Sequence, residues 1–333
     1  WDYERSREAL SRLYEKAKRS QWNATDLPWE TEVDPERVAS EMAVLAGGPQ
    51  PGRSLMAEID GSPVASWGEA QWQQFRIETL GWRLSQFLHG EQGALVCSAK
   101  IVETVPWIDA KYYASTQVYD EARHVEVFSR YLYEKLGTAY PVNPELQMLI
   151  DDVLRDERWD ITYMGMQVMI EGLALAAFGF MHMMTNEPLL KQLLRYVMAD
   201  EARHVAFGTL SLAEYYQGLS GAEIRERQEF AFEAALRMRD RLLMVQVWER
   251  MEVPRPVIRE FLLRLRDGEA WFQSPLFSKI VPNCKKLGLL DAGDGWLRQR
   301  FTDIGVIGFE DAADPELDVE LLDALGGDRA AAS

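Results

Sequence analysis

The chain contains one polar phrase twice. The six residues DEARHV occur in two copies, 80 positions apart, and each copy lies within an apolar stretch. In each copy a glutamate precedes a histidine by three positions, at Glu121 and His124 and at Glu201 and His204. Residues three apart on a helix share one face, so their side chains can reach a common point. A carboxylate and an imidazole at this spacing suit a transition metal. One such pair is a weak signal, because charged pairs are common on exposed helix faces, but two copies indicate two matching half-sites.

The same shift of 80 positions identifies a further carboxylate for each half-site. Glu91, in HGEQGALVC, corresponds to Glu171, in MIEGLALAA, and each stands 30 residues before the glutamate of its repeated phrase. Thirty residues are enough to follow one helix, turn, and return antiparallel to the same level. Glu78 and Glu103 are alternatives on the first helix, but neither preserves the shift nor shares the face of Glu91.

The charge of these side chains favours a metal site. Four glutamates buried without partners would be strongly unfavourable. Two divalent cations would balance the four carboxylates, and two neutral histidines would complete the ligand set. We therefore predict a dinuclear metal site whose ligands are Glu91, Glu121, His124, Glu171, Glu201 and His204.

An aspartate precedes each repeated glutamate, at Asp120 and Asp200. Metal-bound histidines usually donate their second ring N–H to an outer acceptor. We expect each aspartate to accept from a histidine, on the opposite helix, although an exposed aspartate is an equal alternative. Arg123 and Arg203 either pair with these aspartates or face solvent.

Apolar spacing predicts an all-α protein. Apolar residues recur every three or four positions from about residue 67, and alternation typical of strands is nearly absent. The expected helices cover about residues 3–20, 67–105, 106–136, 145–155, 159–185, 188–218, 221–251 and 256–266. We expect three parts, namely an N-terminal arm that wraps the bundle (1–66), the bundle (67–310) and an acidic, partly mobile tail (311–333).

These residues resemble a known group. One glutamate on a first helix, ExxH on a second, glutamate on a third and ExxH on a fourth is the ligand pattern of the ferritin-like di-iron carboxylate proteins. GEQGAL…DEARH and IEGLAL…DEARHVAFG look like stretches of bacterial multicomponent monooxygenase hydroxylase subunits, ribonucleotide reductase small subunits, acyl-carrier desaturases and arylamine N-oxygenases. The resemblance covers about residues 70–250. It implies a ferritin-like four-helix bundle with additional N- and C-terminal helices, and two iron ions (with Mn/Fe as the variant) that activate O2 when reduced.

The sequence departs from several branches of that group. Phe128 stands where the reductase subunits carry their radical tyrosine. Gly93 and Met166 stand where ligand-binding oxidases similar to those subunits cross-link a valine to a tyrosine. Val197 stands where arylamine N-oxygenases carry an extra histidine ligand. The expected function is therefore that of an O2-dependent oxygenase or oxidase that hydroxylates, N-oxygenates or desaturates a small organic substrate.

Mostly apolar residues lie one helical turn from the expected ligands. Such a pocket would suit an organic substrate and exclude water, although each residue taken singly is also an ordinary core residue. The candidate pocket residues are Phe87, Leu95, Gln117, Phe128, Gln167, Leu175 and Val197.

The resemblance also implies partners. The chain has no flavin or nicotinamide motif and only two cysteines, so electrons would come from a reductase or ferredoxin. The substrate could be free or carrier-bound, and a homodimer is the common case for such bundles. Two other classes stay open, a ferroxidase or metal-handling protein and a bundle that holds metal without turnover.

Composition limits the partners further. The chain of 333 residues has 36 basic and 53 acidic side chains, a net charge of −17, which disfavours nucleic acid and anionic membranes. A count of two cysteines, Cys97 and Cys284, argues against a disulfide framework. With no signal-peptide pattern at the start, we expect a cytoplasmic protein.

Overall fold

The computed structural model describes residues 3–45, 51–267 and 274–312. Most of these residues are helical. The α-helices are, in chain order, α1 (Glu8–Arg19), α2 (Pro35–Leu45), α3 (Pro51–Ala57), α4 (Glu69–Thr104), α5 (Ile108–Arg130), α6 (Pro144–Arg155), α7 (Trp159–Tyr163), α8 (Glu171–Met184), α9 (Pro188–Tyr216), α10 (Gly221–Asp240), α11 (Val245–Arg250), α12 (Arg255–Asp267), α13 (Ser274–Lys286) and α14 (Trp296–Asp303). The predicted tail lies outside the described residues from residue 313 onward.

The long helices begin at residues that satisfy free backbone N–H groups. The side chain of Glu187 accepts from the backbone of Leu189 and Leu190, with Pro188 at the first helical position of α9. Ser220 and Glu223 form a reciprocal capping box at the start of α10. α5 begins at Ile108 rather than at Pro106, because Pro106 lies in the turn that separates α4 from α5.

Two helical hairpins form the bundle. α4 packs along α5, and α8 packs along α9, while α5 and α9 contact each other. In the N-terminal segment, α1 packs against α5 and α9, and α2 packs against α4 and α8. Leu10 and Ala17 of α1 belong to the main hydrophobic core. The division of the chain into three parts stays a prediction.

The third bundle helix is not a continuous α-helix. Residues Met164–Ile170 form a π-helix between α7 and α8, and a second π-helix follows α5 at Tyr131–Leu136. π-Helical turns insert extra residues into a helix and often occur at functional sites. Here the π-helix ends immediately before Glu171, so it sets the direction in which that side chain points.

The predicted helix at 221–251 is broken in the structure. α10 ends at Asp240, a 3-10 turn covers Arg241–Leu243, and Met244 has a positive φ of 50° before α11 begins. The side chain of Gln246 then accepts from Trp82 Nε1 at 2.6 Å. No glycine or proline marks this break, so tertiary contacts override the helical pattern. The sequence analysis also did not predict α2, α3, α13 or α14.

Residues 159–184 are the one stretch of the described chain long and apolar enough to cross a membrane. Their most apolar window is 72% buried inside the protein. Core helices pass the same test of length and composition. Cys97 and Cys284 are both free and buried.

Gly208 on α9 allows a close approach to the π-helix. A Cβ atom at this position would lie 2.6 Å from Gln167 Cβ, next to the backbone rather than at the end of a flexible chain. We expect Gly208→Val to lower the free energy of unfolding by about 2–3 kcal/mol through overpacking. Gly179→Ala on α8 is the control, since its Cβ would meet only Met198 Cε at 3.6 Å.

The Gly179→Ala variant should gain up to about 1 kcal/mol from the better helix propensity of alanine. Chemical denaturation of both variants in the metal-free state measures the difference. Equal stability of the Gly208→Val variant and the unsubstituted protein would contradict the close approach.

Candidate metal centre

The bundle brings the six predicted ligands to one level of its interior. Glu91 lies on α4, Glu121 and His124 on α5, Glu171 at the start of α8, and Glu201 and His204 on α9. The two helical hairpins therefore contribute one matching set each. All six side chains are buried.

The ligand atoms form two groups that could each hold a metal ion. The first contains Glu91, Glu121, His124 and Glu201, and the second contains Glu121, Glu171 and His204. Within each group the ligand atoms lie within 4.8 Å of one another. Glu121 belongs to both groups, so the two ions would share it.

Distances within the cluster divide the glutamates into two kinds. His124 Nδ1 lies 3.3 Å from Glu121 Oε2 and 3.0 Å from Glu201 Oε1. His204 Nδ1 lies 3.1 Å from the other oxygen of Glu121 and 3.5 Å from the other oxygen of Glu201. These two carboxylates therefore each face both histidines, which suits bridging ligands.

Glu91 and Glu171 stand at opposite ends of the cluster. Glu91 Oε2 lies 3.2 Å from His124 Nδ1, and Glu171 Oε2 lies 3.9 Å from His204 Nδ1. Each of them faces one histidine, which suits terminal ligands. Gln117 Nε2 donates to Glu121 Oε1 and to Glu171 Oε1, both at 3.0 Å, and so orients the two carboxylates.

The two aspartates contact the outer nitrogens of the histidines across the helix pair. His124 Nε2 lies 3.2 Å from Asp200 Oδ2, and His204 Nε2 lies 3.3 Å from Asp120 Oδ2. This leaves Nδ1 of each ring facing the carboxylates. Such outer contacts fix the ring orientation of metal-binding histidines.

Two buried arginines neutralise these aspartates. Arg123 forms ion pairs with Asp120 and, at 3.2 Å, with Asp200. Arg203 forms an ion pair with Asp200. Both arginines are therefore part of the centre's surroundings rather than solvent-facing charges.

Trp22 also hydrogen-bonds to one aspartate and one arginine around the centre, and the sequence analysis did not identify this role. Its Nε1–H donates to Asp200 Oδ2 at 2.7 Å, and its carbonyl oxygen accepts from Arg123 at 2.6 Å. The sequence gives no sign of this contact, because Trp22 lies 178 positions from Asp200. The N-terminal segment thus reaches the hydrogen-bond shell of the centre.

The residues present fit two metal ions. Within the described chain, buried ligand atoms without a hydrogen-bond partner include Glu121 Oε2, Glu171 Oε2, both oxygens of Glu201, and His204 Nδ1. Buried polar atoms in native proteins nearly always have partners. Their convergence on two points and their mixed oxygen and nitrogen chemistry suit divalent transition metals.

In the absence of metal, burial and neighbouring charges change the pKa values of the side chains in the cluster. Burial, and then the charge of Glu201, raises the pKa of Glu91 well above its usual range. Burial and the charge of Glu121 do the same to the pKa of Glu171. For His124 and His204, burial opposes the charged form, but the surrounding carboxylates outweigh it and raise the pKa of both rings. These four groups therefore keep their protons to a higher pH than free carboxyl and imidazole groups do.

The seven candidate pocket residues have different surroundings. Gln117 is within the centre, as described above, and Gln167 packs against Gly208. Phe87 and Phe128 belong to one aromatic group, in which Phe87 lies 4.6 Å from Phe178 between ring centroids. Of the remaining three, Leu95 is half-buried, and Leu175 and Val197 lie in a hydrophobic cluster.

The two alternative glutamates, and the two histidines of the chain that were not predicted as ligands, lie outside the two ligand groups. His89 Nε2 is 2.8 Å from the carbonyl oxygen of Tyr140. Glu78 contacts Tyr140 and Arg250, and Glu103 is exposed. His182 is half-buried on α8.

A narrow cavity reaches the cluster. Its volume is about 20 Å³, which is room for about one water molecule. Its lining residues are Gln86, Phe87, Gly90, Glu91, Ala94, Ile170, Glu171, Ala174, Glu201 and Arg241. Three candidate ligand carboxylates and one arginine therefore share a single space with Gln86 and with small and apolar residues.

Neither a described protein family nor a curated protein matches the sequence. Solved structures do resemble the fold. Two variants of an R2-like ligand-binding oxidase, one with an anaerobically and one with an aerobically reconstituted Mn/Fe cofactor, each show a TM-score of 0.53 at 17% sequence identity. In both comparisons the match covers 83% of this chain and 92% of the other. The chain therefore has the all-α ferritin-like fold, and its buried glutamate and histidine cluster lies between helices of the bundle, where such folds build a di-metal centre.

Proposed function

We propose that this protein is a non-haem di-metal oxidoreductase that uses O2 to oxidise a small organic substrate. The observation that carries the proposal is the pair of ligand groups that share Glu121 and whose buried atoms lack other partners. The cofactor would be two iron ions or a Mn/Fe pair. The solved structures with a similar fold are named as oxidases with a Mn/Fe cofactor, which supports this choice.

When bound, the two metal ions would supply the redox chemistry that couples O2 reduction to substrate oxidation. The chain's own residues would hold and orient them. Glu121 and Glu201 would bridge the ions, while Glu91 and Glu171 would each bind one. Asp120 and Asp200 would fix the histidine rings, and Gln117 would fix two carboxylates through its N–H groups.

Side chains near the cavity would keep water from the reaction. Phe87, Phe128 and Phe178 form a buried aromatic group, and Phe87 lines the cavity. Excluding water protects a reactive site from side reactions. Within this class, the proposed reactions are hydroxylation, N-oxygenation or desaturation, with electrons from a separate reductase or ferredoxin.

Metal handling is a second candidate, favoured by one observation. The cavity at the carboxylates has a volume of about 20 Å³, which admits water or an ion more readily than an organic molecule. A ferroxidase would need no larger space. The two functions differ in what happens to iron after it reacts with O2.

Rapid mixing with O2 distinguishes the oxygenase function from the metal-handling function. The full-length protein is loaded anaerobically with Fe(II), mixed with O2, and followed by optical absorption and by iron per chain. We expect two irons per chain and a transient absorption that persists for seconds without substrate and decays faster with one. Prompt oxidation with iron accumulating beyond two per chain would instead establish metal handling and overturn the oxygenase proposal.

A further inference from the structure

Arg241 is a buried arginine without a counter-charge. It lies in the break between α10 and α11, and 6% of its surface is exposed. Its one hydrogen bond among the described residues runs from Nη1 to Met238 Sδ at 3.6 Å, and its Nε–H has no partner. Burial lowers the pKa of Arg241 to about 10, so the guanidinium still carries its charge at neutral pH.

The other buried arginines of the described chain are all paired. Arg123 and Arg203 pair with aspartates next to the metal centre, and Arg227 pairs with Asp160 through two bonds of 2.8 and 3.1 Å. No ion pair joins the Arg241 guanidinium to a carboxylate of the described chain, and burial is the one cause of its lowered pKa. A buried charge without a partner is strongly unfavourable. An anion that enters from outside would remove this cost.

The cavity connects Arg241 to the metal centre. Arg241 lines the same space as the ligands Glu91, Glu171 and Glu201. The rest of it is lined by Gln86 and by small or apolar residues such as Ala94 and Ala174. A molecule held by Arg241 at its charged end would therefore extend its uncharged part toward the metal ions.

We propose that Arg241 binds the carboxylate group of the organic substrate and so selects acids over neutral analogues. This inference rests on the proposed function, since it assigns the substrate class of the same centre. A planar carboxylate can accept two parallel N–H bonds from a guanidinium. One negative charge balances one guanidinium, whereas a phosphate dianion would leave excess negative charge near four glutamates.

Because the cavity is small, substrate binding requires a conformational change. Its volume of about 20 Å³ cannot hold a carbon chain, so binding must move Phe87 or the residues of the helix break. Met244, with its positive φ, lies three residues after Arg241. Left-handed backbone in a residue other than glycine is costly and is often found at functional sites.

Matched probes test the proposal without O2. Hexanoate, hexan-1-ol and hexyl phosphate are titrated calorimetrically into the full-length protein loaded with Mn(II). The variants are Arg241→Met, which removes the charge, and Arg241→Lys, which keeps it without the forked geometry. Arg255→Met is the control, because Arg255 is exposed near the same segment.

We expect hexanoate to bind the unsubstituted protein at least about tenfold more tightly than hexan-1-ol, as charge-assisted hydrogen bonds allow. Arg241→Met should lose this preference, Arg241→Lys should keep part of it, and Arg255→Met should keep all of it. All variants should retain two metal ions per chain. Unchanged hexanoate affinity in Arg241→Met, or tighter binding of hexyl phosphate, would overturn the proposal. The oxygenase proposal would be unaffected by that result, since its own test is the reaction with O2.

Discussion

Replacing Glu171 by alanine is expected to reduce bound metal from two ions per chain to one. Glu171 belongs only to the group that also contains Glu121 and His204, so its loss leaves that ion His204 and carboxylates that it shares with the other ion. The other group keeps all four of its ligands. The reaction with O2 should be lost, because a di-metal reaction needs both ions. Metal analysis after equilibrium dialysis against Mn(II) or Fe(II) measures the stoichiometry.

Glu103→Ala is the control for this change. Glu103 is an exposed glutamate on α4 and an alternative ligand that the sequence analysis considered. The Glu103→Ala variant should bind two metal ions and react with O2 as the unsubstituted protein does. If Glu171→Ala also bound two ions with unchanged affinity, the predicted ligand set would be wrong even though the fold would stand.

The second large effect concerns pH. Metal binding should release protons, and the affinity for metal should increase as pH rises. The pKa values of Glu91, Glu171, His124 and His204 are all raised in the metal-free protein, so these four groups lose their protons at a higher pH than free side chains do. A metal ion needs its carboxylate and imidazole ligands deprotonated. Lowering the pH therefore favours the metal-free form.

Each proton released increases the apparent association constant about tenfold per pH unit. Calorimetry of Mn(II) binding between about pH 6 and about pH 8, in buffers of different ionisation enthalpy, counts the protons directly. More than one proton should be released for each pair of ions. An affinity that does not vary with pH would mean that the metal-free centre holds no extra protons, contrary to the raised pKa values.

The sequence was informative about the centre because the ligands are repeated. DEARHV occurs twice, and the shift of 80 positions that relates Glu121 to Glu201 also relates Glu91 to Glu171. The structure brings all six residues together. The long helices were also predictable, since apolar spacing and the caps at Pro188 and Ser220 are local signals.

Features that depend on contacts between distant segments were not predictable. No glycine or proline marks the break at Met244, and Gly165 alone does not distinguish the π-helix before Glu171 from an α-helix. Trp22 reaches Asp200 only because the N-terminal segment folds back on the bundle. Arg241 looks like any charged residue in a helical pattern, and only burial without a counter-charge distinguishes it.

The two metal positions are unequal, although the sequence repeat suggests symmetry. Four ligand residues lie within 4.8 Å of one another at one position and three at the other, because Glu201 lies 3.0 Å from His124 Nδ1 but 3.5 Å from His204 Nδ1. The position with the closer ligands should fill first, and the other should retain more open coordination for small molecules. The protein would then pass through a stable half-loaded state during assembly. Its final metal content would depend on the order in which ions arrive as well as on their affinities, so the history of loading could decide which metal occupies each position.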